Sequence, residues 1–168
     1  MDPSIVLTDE LSGTYNLDGF TVLAEHHMAM ADRRGQPVLL VFIGLDGLSA
    51  VRERNGSEAA DRLVADSARV LKMVVRRSDV LARVGDDQFC VLLTGDAAGA
   101  ETMVLARLVE AIASDNARSE RPSPLSLSVG TATYDPAEPC PLPELIAQAG
   151  LRMEERRKAA GGPTSGAG

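Results

Sequence analysis

The stretch Arg83-Val84-Gly85-Asp86-Asp87-Gln88-Phe89-Cys90-Val91-Leu92-Leu93 decides how this chain folds. Leu81 to Val84 is a short apolar strand, and Phe89 to Leu93 is another. Between them, Gly85-Asp86 is a dipeptide suited to the positive backbone angles of a tight hairpin turn. Two carboxylates, Asp86 and Asp87, therefore sit at the tip of a hairpin, a place suited to metal-dependent nucleotide chemistry.

Outward from the hairpin, helical periodicity is clear in Leu17 to Arg34, where Phe20, Leu23, Ala24, His27, Met28 and Ala31 share one face. Gly35 stops that helix. Pro37 to Ile43 is a continuous apolar run of strand length, which predicts a central strand buried on both faces. A second helix begins near Leu48 and breaks at Asn55-Gly56. Ser57 then caps a long third helix, with Ala60, Leu63, Val64, Ser67, Val70, Leu71 and Val74 at helical spacing. After the hairpin comes a helix over Ala100 to Ala113, with Val104, Leu105, Leu108 and Ile112 facing inward. Asn116 to Pro124 reads as a loop, Leu125 to Tyr134 as a strand, and Leu142 to Ala159 as a last helix. Residues 1–160 form one domain, and Gly161 to Gly168 reads as a disordered tail.

This order of elements predicts an α+β sandwich, a central antiparallel-rich sheet covered by helices. In such a sandwich the end of the first long strand, Gly44 to Asp46, lies beside the hairpin tip at Gly85 to Asp87. Bringing two acidic turns together is how a palm-like nucleotidyl transferase builds a metal site.

Composition narrows the function. The chain has 168 residues, 45% of them hydrophobic, enough for one well-filled core and too few for two ordinary domains. A formal net charge of -7 argues against a broad electrostatic grip on nucleic acid. Three Phe, two Tyr and no Trp leave little for base-stacking platforms. Cys90 and Cys140 match no metal spacing and read as free thiols in a reducing cytosol. No apolar run reaches membrane-spanning length, and Met1-Asp2-Pro3 does not start a signal peptide, so a cytoplasmic protein without membrane contact is expected. His26 and His27 are adjacent on a helix and diverge, one exposed and one at the core edge. Met28, Met30 and Met73 read as core filling.

Several motifs taken in order resemble the GGDEF family of diguanylate cyclases. Gly85-Asp86-Asp87-Gln88-Phe89 is similar to the family's Gly-Gly-Asp-Glu-Phe signature. Asp9-Glu10-Leu11-Ser12-Gly13-Thr14-Tyr15-Asn16 resembles its opening Asp-x-Leu-Thr-Gly-Leu-x-Asn. Phe42-Ile43-Gly44-Leu45-Asp46-Gly47-Leu48 is similar to its Asp-x-Asp-x-Phe segment, and Gly56 with Asp61-Arg62-Leu63 to the glycine and Asp-x-Leu that follow. Ser128-Val129-Gly130-Thr131-Ala132 resembles its Ser-x-Gly-x-Ala strand. The resemblance runs from about Thr8 to Lys158 and implies a palm-like, ferredoxin-like nucleotidyl-cyclase fold.

The family condenses two GTP molecules into cyclic di-GMP on a homodimer, each subunit holding one GTP with two magnesium ions. At the two positions that ligate metal, this chain has Gly44 and Asp87, so only Asp87 remains as a metal ligand. Gln88 replaces the signature glutamate with an amide that neither ionises nor takes a proton as a carboxylate does. Asp86 stands where a glycine admits the nucleotide; it either rescues a ligand position or repels the phosphates. Arg52 replaces the asparagine that reads guanine, and Ser49 replaces a lysine near the phosphates. Asp46, Arg52, Asp61 and Arg157 are read as vestigial nucleotide contacts, with solvated helix-surface charges as the alternative for Asp61 and Arg157.

The product-binding side is better kept. Arg76-Arg77-Ser78-Asp79 matches the family's Arg-x-x-Asp motif, which binds cyclic di-GMP at an inhibitory site. A guanidinium donates two hydrogen bonds to guanine O6 and N7, and a carboxylate accepts from N1 and N2. Arg107 is the second-site arginine. The competing reading is structural: cations favoured at a helix end by the dipole, then ordinary turn chemistry. The resemblance thus implies a catalytically inactive domain that receives cyclic di-GMP through Arg76 and Asp79 and signals to a protein partner. A ligand-independent scaffold, or a weak cyclase using Asp86 and Asp46, are the alternatives. No cofactor is required, magnesium enters only with residual GTP binding, and a homodimer stays open.

Overall fold

A computed structural model describes residues 6–95 and 99–160. Numbered in chain order, its elements are β1 (Thr8–Asp9), β2 (Thr14–Tyr15), α1 (Leu17–Arg34), β3 (Val38–Leu45), α2 (Leu48–Asn55), α3 (Ser57–Val74), β4 (Val80–Gly85), β5 (Gln88–Leu93), α4 (Ala100–Arg118), β6 (Leu127–Tyr134) and α5 (Leu142–Ala159). The six strands form one sheet in the order β1-β2-β4-β5-β3-β6.

All eight residues of β3 are buried, because the strand lies between β5 and β6 with helices over both faces. Successive side chains of a strand point to opposite faces, so the run serves two cores at once. Leu39, Val41, Ile43 and Leu45 join Leu63, Val64 and Leu71 of α3 and Leu108 of α4. Val38, Leu40 and Phe42 join Phe20, Ala24 and Met28 of α1 and Leu145, Ala149 and Met153 of α5. The α+β sandwich and its central strand are as the sequence predicts.

At the outer edge, β6 packs under α5, and Gly130 sets how closely. A Cβ there would strike the Ala149 carbonyl and the Met153 backbone nitrogen, with the Met153 Cα only 2.8 Å away. Arg152 and Arg156 of α5 reach over this edge and donate to the carbonyls of Thr131 (2.7 Å) and Val129 (3.3 Å).

Several local expectations need correction. The strands β1 and β2 had no sequence prediction; two residues each carry too little periodicity, and Gly13 at φ 70° turns between them. Ser57 does not cap α3: Gly56, at φ 92°, is the cap residue and Ser57 opens the helix without a side-chain cap bond. The α4 helix continues to Arg118, so Asn116 is helical. Its side chain ties down the next loop, accepting from the Leu125 N–H (2.8 Å) and donating to the Leu125 carbonyl (3.0 Å). Of the four inward residues assigned to that helix, only Leu108 is fully buried; Val104, Leu105 and Ile112 are half-buried. Met28 fills the core, but Met73 is 58% exposed. His26 is exposed and His27 sits at the core edge, where burial, then the charge of His26, lowers its pKa. The tail at residues 161–168 lies outside the described residues. No described helix is long and apolar enough to cross a membrane.

Candidate functional site

The β4–β5 hairpin delivers Asp86 and Asp87 to the end of β3: Gly44 pairs with Gln88, and the Leu45 N–H donates to the Asp87 carbonyl at 2.8 Å. The two acidic turns do meet. Gly85, however, has no positive φ. It is the last residue of β4, next to a register irregularity between Arg83 and Gly85, and Asp86-Asp87 makes the turn. The hairpin thus closes beside a register irregularity, without the positive backbone angle expected at Gly85.

Asp86 does not stand free. Arg52 from α2 grips it with two hydrogen bonds of 3.1 Å, and Arg83 reaches it at 3.3 Å. Arg83 continues to Asp9 at 3.4 Å, and Asp9 accepts from the backbone and hydroxyl of Ser12 (2.9 and 2.7 Å). A chain of charges thus runs from β1 through the hairpin tip to α2. Burial pushes the Asp9 carboxyl up, but Ser12 and Arg83 outweigh it and hold it below its ordinary value. Arg52 and Asp86, two residues that the resemblance marks as unlike the family's motifs, are partners of one another. Asp61 is exposed on α3.

Beneath the tip, Asp46 is enclosed. Ser126 and Ser128, on one face of the neighbouring segment, donate to it at 2.8 and 2.9 Å, and the Arg157 Nε does so at 2.8 Å. The Arg157 Nη1 also donates to Glu154 at 3.1 Å, and its side chain is only 13% exposed. The alternative of Arg157 as a solvated surface charge is therefore wrong: α5 packs it against β3 and β6. Its Nη2 is buried and finds no partner among the described residues. A Cβ built on Gly44 would meet that Nη2 directly.

Magnesium, which the resemblance implies, needs near-octahedral oxygen donors. These residues do not fit it: Gly44 offers no side-chain donor, Asp46 is committed to two hydroxyls and a guanidinium, and Asp86 to two arginines, which leaves the Asp87 carboxylate alone where the ion needs several oxygen donors. Among the described residues no three His, Cys, Asp or Glu side chains are grouped to hold a metal ion.

A second site lies at the C-terminal end of α3. Arg76, Asp79 and Arg107 line one cleft of about 270 Å³, with Thr94, Met103 and Val104. Asp79 folds its own turn, one carboxylate oxygen accepting from the Arg76 N–H (2.8 Å) and the other from the Thr94 N–H (3.1 Å). Each oxygen keeps a free lone pair. Arg76 and Arg107 are exposed. Arg77 lines a second, shallower hollow with Lys72, Thr14 and Tyr15, and Arg76 and Asp79 border this hollow as well as the cleft.

Sequence reasoning missed Ser126, Ser128 and Glu154, and the pairing of Asp9 with Arg83. The two serines carried one available signal, a polar i, i+2 repeat at the start of the strand expected over Leu125 to Tyr134.

Comparison with known proteins agrees with this architecture. The family model described as "Diguanylate cyclase, GGDEF domain" matches residues 6–162, and the chain belongs to that family. It is 31% identical over 153 residues to the cyclic di-GMP phosphodiesterase NbdA of Pseudomonas aeruginosa, covering 89% of this chain but 19% of NbdA. The chain therefore spans less than a fifth of that relative. The FimX GGDEF domain of P. aeruginosa superposes with a TM-score of 0.82 at 22% identity, covering 92% of this chain and 96% of that one. The GGDEF domain of DgcB from Caulobacter crescentus, solved in complex with c-di-GMP, gives 0.80 at 21% identity, covering 96% and 93%.

Proposed function

We propose that this domain is a cyclic di-GMP receptor without cyclase activity, passing the signal to a protein partner. The observation that carries the reading is the convergence of Arg76, Asp79 and Arg107 on one cleft, while Asp86 at the hairpin tip is spent on ion pairs with Arg52 and Arg83. Two guanidinium groups and a carboxylate with free lone pairs match the acceptor and donor edges of guanine. The c-di-GMP complex of the related DgcB domain supports the ligand class.

Calorimetric titration with cyclic di-GMP, and separately with GTP plus magnesium, tests the reading. Saturable binding of cyclic di-GMP is expected, near two ligands per chain as the family resemblance implies. Arg76→Ala should cost about 1–3 kcal/mol of binding, through loss of bidentate bonds to guanine. Arg107→Ala should weaken binding too, whereas Arg77→Ala, facing the neighbouring hollow, should change little. Equal losses from Arg76→Ala and Arg77→Ala would mean a general basic patch. Asp79 is a poor choice of variant because its carboxylate also holds the turn. Incubation with GTP and magnesium or manganese should yield no cyclic di-GMP. Steady product that disappears in Asp87→Ala would refute the inactive-cyclase reading. No binding of cyclic di-GMP at high micromolar concentration would refute the receptor role and leave a ligand-independent scaffold.

A further inference from the structure

We infer that Arg157 is the resident cation of the hairpin-tip cleft: its guanidinium fills the space in front of Gly44, and Gly44 must be a glycine to admit it. The inference deepens the reading of a cleft without cyclase chemistry and is independent of cyclic di-GMP binding at the Arg76 cleft.

Three observations carry it. First, a Cβ on Gly44 would land on the Arg157 Nη2 and approach the Met153 sulfur to 2.8 Å, with Met153 itself buried. The missing side chain at position 44 is thus more than a lost carboxylate; its space is taken. Second, Asp46 is fully engaged by cationic and hydroxyl donors: the Arg157 Nε and Ser128 on Oδ1, Ser126 and Ser128 on Oδ2. A divalent ion would have to strip these bonds before it gained a ligand. Third, Arg157 and Asp46 are only 13% and 11% exposed, and the Nη2 between them and Gly44 is sealed from solvent without a partner among the described residues. A permanently charged side chain under that much cover is held by its carboxylate. One positive charge supplied by α5 therefore neutralises Asp46, and binding a metal ion there would place like charges together.

Coupling follows between two positions on different elements. Any side chain at 44 competes with the guanidinium at 157, and removing the guanidinium frees that space. The test is a double-mutant cycle read by thermal melting together with manganese binding, followed as loss of the free-ion electron paramagnetic resonance signal. Gly44→Ala should lower the melting temperature clearly in the wild-type background and much less in Arg157→Ala. Equal losses in the two backgrounds would overturn the contact. Wild type and Gly44→Asp should show no saturable manganese binding, and Gly44→Asp/Arg157→Ala should acquire it. Saturable binding by wild type, or by Gly44→Asp with Arg157 intact, would overturn the inference, as would a folded double variant that binds none. If the double variant does not fold, the Gly44→Ala cycle and the wild-type titration decide the matter. A wild type that makes cyclic di-GMP would sink the inactive-cyclase reading separately, since neither the melting cycle nor the manganese titration measures product.

Discussion

Two glycines show how much a single missing Cβ is worth in different surroundings. At Gly85 an added Cβ would lie 2.6 Å from the Gln88 Oε1, the far end of a side chain that can swing away, and the backbone is not left-handed. At Gly130 the same atom would meet the backbone of α5, which cannot move alone. Gly130→Ala should therefore destabilise the domain by about 1–3 kcal/mol, the usual range for overpacking. Gly85→Ala should cost well under that. Urea denaturation of both variants checks the contrast, and equal midpoints would show that α5 yields easily. The comparison also marks where sequence reading stops. The dipeptide Gly85-Asp86 correctly announced a hairpin, but the reason given for the glycine was wrong, because the hairpin closes beside a register irregularity without a positive φ at Gly85. The Gly44–Arg157 contact was beyond reach, since it depends on how the last helix lies over the first long strand.

Elements with strong internal signals were legible almost to the residue. The α1 helix, Leu17–Arg34, has an apolar stripe closed by Gly35 in the left-handed region at φ 63°. The α5 helix, Leu142–Ala159, was placed as closely. What escaped was polar chemistry continuing an apolar face. Asp115 follows Leu108 and Ile112 along α4 at core spacing, yet it is a buried acid. It is ion-paired with Arg69 from α3 and with Arg121 from the following loop, each at 2.9 Å, and Arg121 also donates to Asp66 at 3.0 Å. These arginines fasten α4 to α3 where the apolar contact thins out. Asp115→Ala removes one of the two carboxylates that face Arg121, which is only 4% exposed and keeps Asp66, so a loss of about 1–3 kcal/mol is expected. A chemical denaturation midpoint within error of wild type would refute the role of the network.

For the whole molecule, the same network sets its behaviour in acid. Burial pushes the Asp115 carboxyl up, but hydrogen bonds and charge from Arg69 and Arg121 outweigh it and hold its pKa below the ordinary value; Asp9 is lowered in the same direction. A carboxylate whose folded pKa is depressed gives stability that is fully present above its unfolded pKa, about 3.9. That stability is lost as pH falls through the lower, folded value. Melting temperature should therefore drop steeply below about pH 4, and Asp115→Asn should flatten that drop while lowering stability at neutral pH. An unchanged acid profile in Asp115→Asn would show that other groups govern it. The far edge of the sheet has a different consequence. An eight-residue outer strand such as β6 is a template on which a foreign strand could add itself. Here Arg152 and Arg156 occupy the Thr131 and Val129 carbonyls that such a newcomer would need. The arginines act as stoppers, so crowded molecules are discouraged from zipping together along this border.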